Sequence, residues 1–300
     1  MNEADSRAAD PPRLNHVQCL GARGLHRMAY WEWGDAANPK VLVCVHGVGR
    51  QARDFDTLAR ALCGGYRVVC PDVVGRGRSD WLADPAGYVI PAYVADMVTL
   101  LARLDAQTVH WVGTSMGGLI GMGLASLPKT PIAKLVLNDV GPAIRFEALS
   151  RISGYLGQPL RWDSVDDAAD YLQTISASFG PHTREQWLAL SRPMLAPDGD
   201  GFKLHYDPAI AVPIRAMTPE TAAAGEKLTW AAYDAVRCPT LLLRGAESDL
   251  LTRETAQAMT ERGPRARLVE FAGVGHAPTL MAADQIDAVR RFLLEPGANA

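Results

Sequence analysis

From Thr108 to Leu127 the chain reads TVHWVGTSMGGLIGMGLASL. The first five of these residues, 108–112, read as a buried strand. Gly113-Thr114-Ser115-Met116-Gly117 follows, a G-x-S-x-G pentapeptide, and an apolar helical segment follows that. In a strand–turn–helix of this kind the serine hydroxyl stands out of the carboxyl end of a sheet, free of packing. So sharp a turn admits only small residues beside the serine, which accounts for Gly113, Gly117 and Gly118. The bland alternative is a glycine-rich turn closing a βα unit. A phosphate loop would need Lys-Ser/Thr after the glycines, and a dinucleotide loop would need G-x-G-x-x-G spacing; neither is present. Residues 106–128 carry no formal charge and are long enough to cross a bilayer. Their five glycines and the polar Gln107, Thr108, His110, Thr114, Ser115 and Ser126 favour a buried strand, turn and helix instead.

Further strands are expected at 25–33, 41–45 (VLVCV, a continuous apolar run), 66–70, 134–137, 240–243 and 267–271. Helical spacing appears at 55–62, with Asp54 a candidate cap, and at 93–104, 252–262 and 286–294. Strands alternating with helices predict an α/β protein whose mostly parallel sheet is doubly wound by helices. The alternation breaks between 141 and 229. That segment has helical patches at 165–175 and 185–190 and no clear strand, so it reads as a helical insertion rather than a loop. The expected organisation is a disordered lead over 1–15, a core over 16–140 and 230–300, and a helical cap over 141–229.

Composition narrows the function classes. The chain has 300 residues, 48% hydrophobic, with 30 Lys+Arg against 33 Asp+Glu. A net charge of -3 offers no basic excess for nucleic acid. Five cysteines (Cys19, Cys44, Cys63, Cys70 and Cys238), with no CxxC pair, speak against a disulfide framework or structural zinc. Residues 1–12 lack the apolar core of a secretory signal, so the expected location is cytoplasmic, with no membrane partner.

A serine needs a base to attack a carbonyl. His276 stands in a Gly-bracketed loop (FAGVGH) just past the 267–271 run, where it can reach Ser115. A carboxylate must then hold the imidazole in the right tautomer. Asp249 follows the strand TLLLRGAES and is the expected partner. Asp139, which ends KLVLND, is the alternative acid. Two N–H donors should face the developing oxyanion: that of Met116, after the serine, and that of Val48 in His46-Gly47-Val48-Gly49. His46 itself reads as structural. Arg50, Trp162 and Trp187 are candidate substrate-binding residues. Tyr155, Phe179 and Met194 are further residues that either line the pocket or form the cap's own core. The loop GRGRSD, residues 75–80, carries two arginines. It reads as a structural turn with locally paired charges, and otherwise as a phosphate or carboxylate site.

Together HGVG, PDVVGRGRSD, GTSMGG, RGAESD and GVGH resemble the α/β-hydrolase superfamily from about residue 25 to 294. The resemblance implies Ser115 as nucleophile, His276 as base, Asp249 as acid, and Val48 and Met116 as oxyanion donors. It is similar to the cap-bearing branch of carboxylesterases, enol-lactonases and carbon–carbon bond (meta-cleavage product) hydrolases. Ser115 stands where dehalogenases and epoxide hydrolases carry Asp, which disfavours those activities. The expected reaction is cleavage of a small carboxylic ester or lactone through an acyl-enzyme, with no metal or organic cofactor. The alternatives are carbon–carbon bond hydrolysis, cofactor-free perhydrolysis and a non-catalytic binding role.

Overall fold

The computed structural model describes residues 11–295. The chain opens on a hairpin, β1 (Arg13–Gly21) and β2 (Gly24–Trp33), turning through Ala22-Arg23. Then come β3 (Lys40–Val45), α1 (Asp56–Leu62), β4 (Arg67–Pro71), α2 (Ile90–Leu104), β5 (Thr108–Thr114), α3 (Met116–Ala125) and β6 (Ile132–Asn138). An insertion follows, with α4 (Phe146–Tyr155), β7 (Arg161–Trp162), α5 (Val165–Ile175), α6 (Arg184–Ser191), β8 (Leu195–Asp198), β9 (Gly201–Leu204), α7 (Val212–Arg215) and α8 (Pro219–Ala235). The core resumes with β10 (Thr240–Gly245), α9 (Arg253–Glu261), β11 (Arg267–Phe271) and α10 (Ala283–Leu294).

Among the described residues the main sheet has the order β1-β2-β4-β3-β5-β6-β10-β11. Its β1–β2 and β2–β4 pairings are antiparallel, and the rest are parallel. Alternate residues of one strand enter opposite cores, as the two-residue period of a strand requires. Val41, Val43 and Val45 of β3 pack with Met97, Leu100 and Ile120 of α2 and α3. Leu42 and Cys44 pack on the other face with Leu58, Leu62, Val289 and Phe292 of α1 and α10. The Lys134 ammonium, buried near the start of β6, donates to the carbonyls of Phe292, Leu293 and Glu295, which satisfies acceptors that end α10.

Several expectations need correcting. Residues 13–15, expected in the lead, belong to β1; residues 1–10 of that expectation lie outside the described residues. In β1 only Val17 and Cys19 are buried, so this edge strand leaves almost no apolar pattern. The insertion is not purely helical, because β7, β9 and β8 form an antiparallel sheet. Strands of two to four residues are too short to show alternation. The expected end of the insertion, at 229, falls inside α8, whose start is fixed by a Thr218/Thr221 capping box and Pro219. This helix packs against α3 of the core. Asp54 caps no helix; Gln51 caps the short turn that holds it.

The insertion is tied to the 75–80 loop. Gly77 N–H donates to the His205 carbonyl (3.0 Å) and Asp207 N–H to that of Gly75 (2.8 Å). Among the described residues no helix is long and apolar enough to cross a membrane.

Candidate active site

Ser115 joins β5 to α3 with φ 51° and ψ −117°, a left-handed backbone for a non-glycine residue. Close approach explains its glycines. A Cβ on Gly113 would fall onto the backbone of Gly117, and one on Gly117 onto the Val45 carbonyl. The strain lifts the side chain off the sheet, where Ser115 Oγ lies 3.0 Å from His276 Nε2.

His276 Nδ1 is 2.8 Å from Asp139 Oδ2, not from Asp249. Asp139 follows β6, is fully buried, and sits at φ 55°, a conformation aspartate tolerates. Its Oδ1 accepts from the Gly245 N–H (2.8 Å) and its Oδ2 from the Ser248 hydroxyl (2.6 Å). A carboxylate facing Nδ1 puts the proton there, which leaves the Nε2 lone pair for the serine hydroxyl. The expectation for Asp249 is corrected: its side chain is 50% exposed and pairs twofold with Arg151 (2.9 and 2.9 Å). The turn after β10 sends Ser248 inward onto Asp139, so its neighbour Asp249 faces out.

Three residues that sequence reasoning missed hold this row in place. Ser248 does so from the β10 turn. Asn138 Nδ2 donates to Thr114 Oγ1 (2.9 Å) and to the Pro278 carbonyl (2.8 Å), which joins the serine turn to the histidine loop. Ser178, in the insertion, donates to the His276 carbonyl (2.7 Å). No local pattern marks a serine or asparagine for such contacts; they follow from strand register and loop docking.

The loop after β3 packs against the serine, since a Cβ on Gly47 would lie 3.7 Å from Ser115 Cβ. Among the described residues neither the Val48 N–H nor the Met116 N–H has a protein acceptor. The second is an orphan donor of the first turn of α3, where the helix dipole also favours negative charge. His46 lies beneath this loop. The Val73 N–H donates to its Nε2 (3.0 Å), so Nδ1 carries the proton and donates to the Gly47 carbonyl (2.7 Å).

Burial pushes the His46 imidazole down to about 3. The unfolded chain therefore binds a proton here that the folded chain does not, and the stability that His46 contributes is lost as pH falls below about 6.5. The unfolding free-energy difference between the wild type and His46→Leu should narrow by about 1.4 kcal/mol per pH unit from pH 6 to 4.5. Denaturant titrations at several pH values check this; a difference constant with pH would contradict it.

Two cavities meet at Ser115 and share Val48, Ser115 and Ile152 in their walls. The larger, about 340 Å³, is largely apolar, with Ile90, Leu119, Ile144 and Ile214 among its lining residues, and among the described residues its only charged lining residues are Arg76 and Glu226. The smaller, about 90 Å³, is bordered by Arg50, Tyr155, Phe179, Met194 and His276. Trp162 and Trp187, expected to bind substrate, line neither. Trp162 packs on Tyr171, and Trp187 is buried between Phe179 and His182. Arg50 does border the smaller cavity, but its guanidinium is held twofold by Asp54 (2.7 and 2.8 Å).

The 75–80 loop does not pair its charges locally. Asp80 reaches Arg27, and Arg76 is buried without a carboxylate partner among the described residues. Cys19, His26 and Asp96 bring metal-ligating atoms together, and none of the three lines either cavity. His26 Nε2 donates to Asp96 (2.9 Å), and burial pushes the Cys19 thiol up to about 12, so it holds its proton.

A doubly wound parallel sheet with a strained serine at the end of β5 and a histidine beyond β11 defines a class of enzyme scaffold. The chain belongs to the alpha/beta hydrolase family, whose profile matches residues 42–289, and it is a hydrolase. It is similar to a 3-hydroxybutyrate-oligomer hydrolase of Cupriavidus necator, with 59% identity over 285 residues, 94% of this chain and 97% of that protein. Among solved structures it resembles an alpha/beta hydrolase from Novosphingobium aromaticivorans, with 36% identity and TM-score 0.82, covering 95% of this chain and 99% of that one. A solved Rickettsia typhi chain shares 30% identity and TM-score 0.85, covering 95% and 100%.

Proposed function

We propose that the chain hydrolyses short linear esters of 3-hydroxybutyrate through a Ser115–His276–Asp139 triad and an acyl-enzyme. The observation that carries the mechanism is the hydrogen-bonded row from Ser115 Oγ through the imidazole to Asp139. The relative that is 59% identical over nearly its whole length supports the substrate. So does the position of Ser115 at the junction of two cavities, which suits an ester with chain on both sides of the scissile bond.

In this reading Ser115 Oγ attacks the ester carbonyl carbon as its proton passes to His276 Nε2. The oxyanion is held by the N–H groups of Val48 and Met116, each worth about 3 kcal/mol to the transition state. Asp139 stabilises the imidazolium. His276 then protonates the departing hydroxybutyrate oxygen. A water that gives its proton to His276 attacks the acyl-enzyme, and the serine recovers its proton as 3-hydroxybutyrate leaves. Part of the insertion acts as the cap: Ile210, Pro213, Ile214 and Met217 close the larger cavity over the serine.

The purified chain should release 3-hydroxybutyrate from the linear dimer and trimer, hydrolyse p-nitrophenyl butyrate, and leave dienoic ring-fission diketones intact. Product chromatography checks this. Hydrolysis of p-nitrophenyl butyrate with no turnover of dimer or trimer would overturn the substrate assignment and leave the ester mechanism standing.

A further inference from the structure

We infer that Arg76 reads a free carboxylate on the substrate and makes the enzyme selective for acid-terminated oligoesters. This rests on the ester reading above and deepens it. Arg76 is 1% exposed, yet it lines the larger cavity together with Ser115, Val48 and Met116. Its Nε donates to the Val48 carbonyl (2.9 Å), and its Nη1 donates to the Val74 carbonyl (2.8 Å) and the Tyr93 hydroxyl (3.0 Å). The guanidinium lies over the rings of Tyr88 and Tyr93. These contacts are all with neutral groups. Its Nη2 meets no oxygen among the described residues, only Met116 Sδ at 3.7 Å.

The other arginines around the serine differ. Arg50 is neutralised by Asp54 and Arg151 by Asp249. Burying a cation without a counter-charge is costly, and an apolar side chain would fill the same place at less cost. The cavity it borders is otherwise largely apolar, and its one acidic lining residue among those described, Glu226, is exposed. An anion entering this cavity would supply the missing counter-charge. A guanidinium with a free Nη2 edge, backed by fixed hydrogen bonds, is suited to a carboxylate.

The proposed substrate carries such an anion close to its scissile bond. In a hydroxybutyrate dimer the free carboxylate carbon is four bonds from the scissile carbonyl carbon, about 5 Å when extended. Met116 is the residue next to the nucleophile, and its thioether is what Nη2 touches. A carboxylate reaching Arg76 past this flexible side chain would leave the ester at Ser115, so that the leaving hydroxy acid lies in the larger cavity. Selection would then run from the carboxyl end of the oligomer.

The test compares kcat/KM for the 3-hydroxybutyrate dimer as free acid and as its methyl ester, in the wild type, Arg76→Gln and Arg76→Lys. The wild type should prefer the free acid by about 10- to 100-fold, chiefly through KM. The preference should fall to about one in Arg76→Gln and be partly kept in Arg76→Lys. The ratio cancels any general loss caused by disturbing the Val48 loop. Equal wild-type rates on acid and methyl ester overturn the inference, and that comparison decides it even if the glutamine variant does not fold. So does an unchanged ratio in Arg76→Gln. A wild type that cleaves p-nitrophenyl butyrate but neither dimer overturns the substrate assignment and the inference with it.

Discussion

Asp139→Asn lowers kcat by about 10⁴-fold, whereas Asp249→Asn leaves it within about fivefold. The first effect follows from tautomer control. The carboxylate accepts from the Gly245 N–H, the Ser248 hydroxyl and His276 Nδ1. In the asparagine variant the amide oxygen stays on the Gly245 N–H, and the amide nitrogen then faces Nδ1 as a donor. The ring must answer by moving its proton to Nε2, and it can no longer accept from Ser115. The Ser248 hydroxyl can rotate to accept from the new amide, so the geometry survives while the proton is in the wrong place. Asp249 makes an exposed ion pair with Arg151, of a kind worth at most about 1 kcal/mol. Turnover of p-nitrophenyl butyrate by both variants checks the pair of expectations. A large loss in Asp249→Asn with little in Asp139→Asn would reverse the assignment.

Ser115→Ala lowers kcat by about 10⁶-fold and abolishes labelling by a fluorophosphonate probe. Adding His276→Ala to it costs little more, because the two groups act as a unit and neither works alone. What rate remains is attributed to the Val48 and Met116 N–H groups and to substrate binding, neither of which the substitution touches. Retained labelling in Ser115→Ala would place the nucleophile elsewhere. Additive losses in the double variant would mean that Ser115 and His276 do not share one step.

The serine turn was legible because its geometry leaves few residue choices. Gly113 and Gly117 are demanded by contacts with Gly117 and Val45 backbone, and those demands appear directly as glycines in the sequence. His276 was legible because a Gly-bracketed loop after a strand marks the carboxyl edge of the sheet. The partner of His276 was not. Asp139 and Asp249 both follow strand ends. The choice depends on whether the turn after β10 sends residue 248 or 249 inward, and a one-residue difference in a turn leaves no trace in an apolar pattern. Arg76 was visible as a charge in a glycine-rich loop, but only packing shows that it is buried and lacks a carboxylate. The tryptophans mislead for the opposite reason. An aromatic side chain in the insertion suits a pocket wall or a small core equally well, and Trp162 and Trp187 went to ring packing. The strands β7 to β9 and the edge strand β1 bury too few alternate residues to be read.

A Ser115 acyl-enzyme should lie on the path from hydroxybutyrate ester to hydroxybutyrate acid. Mass spectrometry of the chain, acid-quenched during turnover of the 3-hydroxybutyrate trimer and then digested, tests it most directly. A hydroxybutyryl ester on the peptide that carries Ser115, absent from Ser115→Ala, is the predicted result. An adduct on another residue, or one that persists in Ser115→Ala, would contradict it.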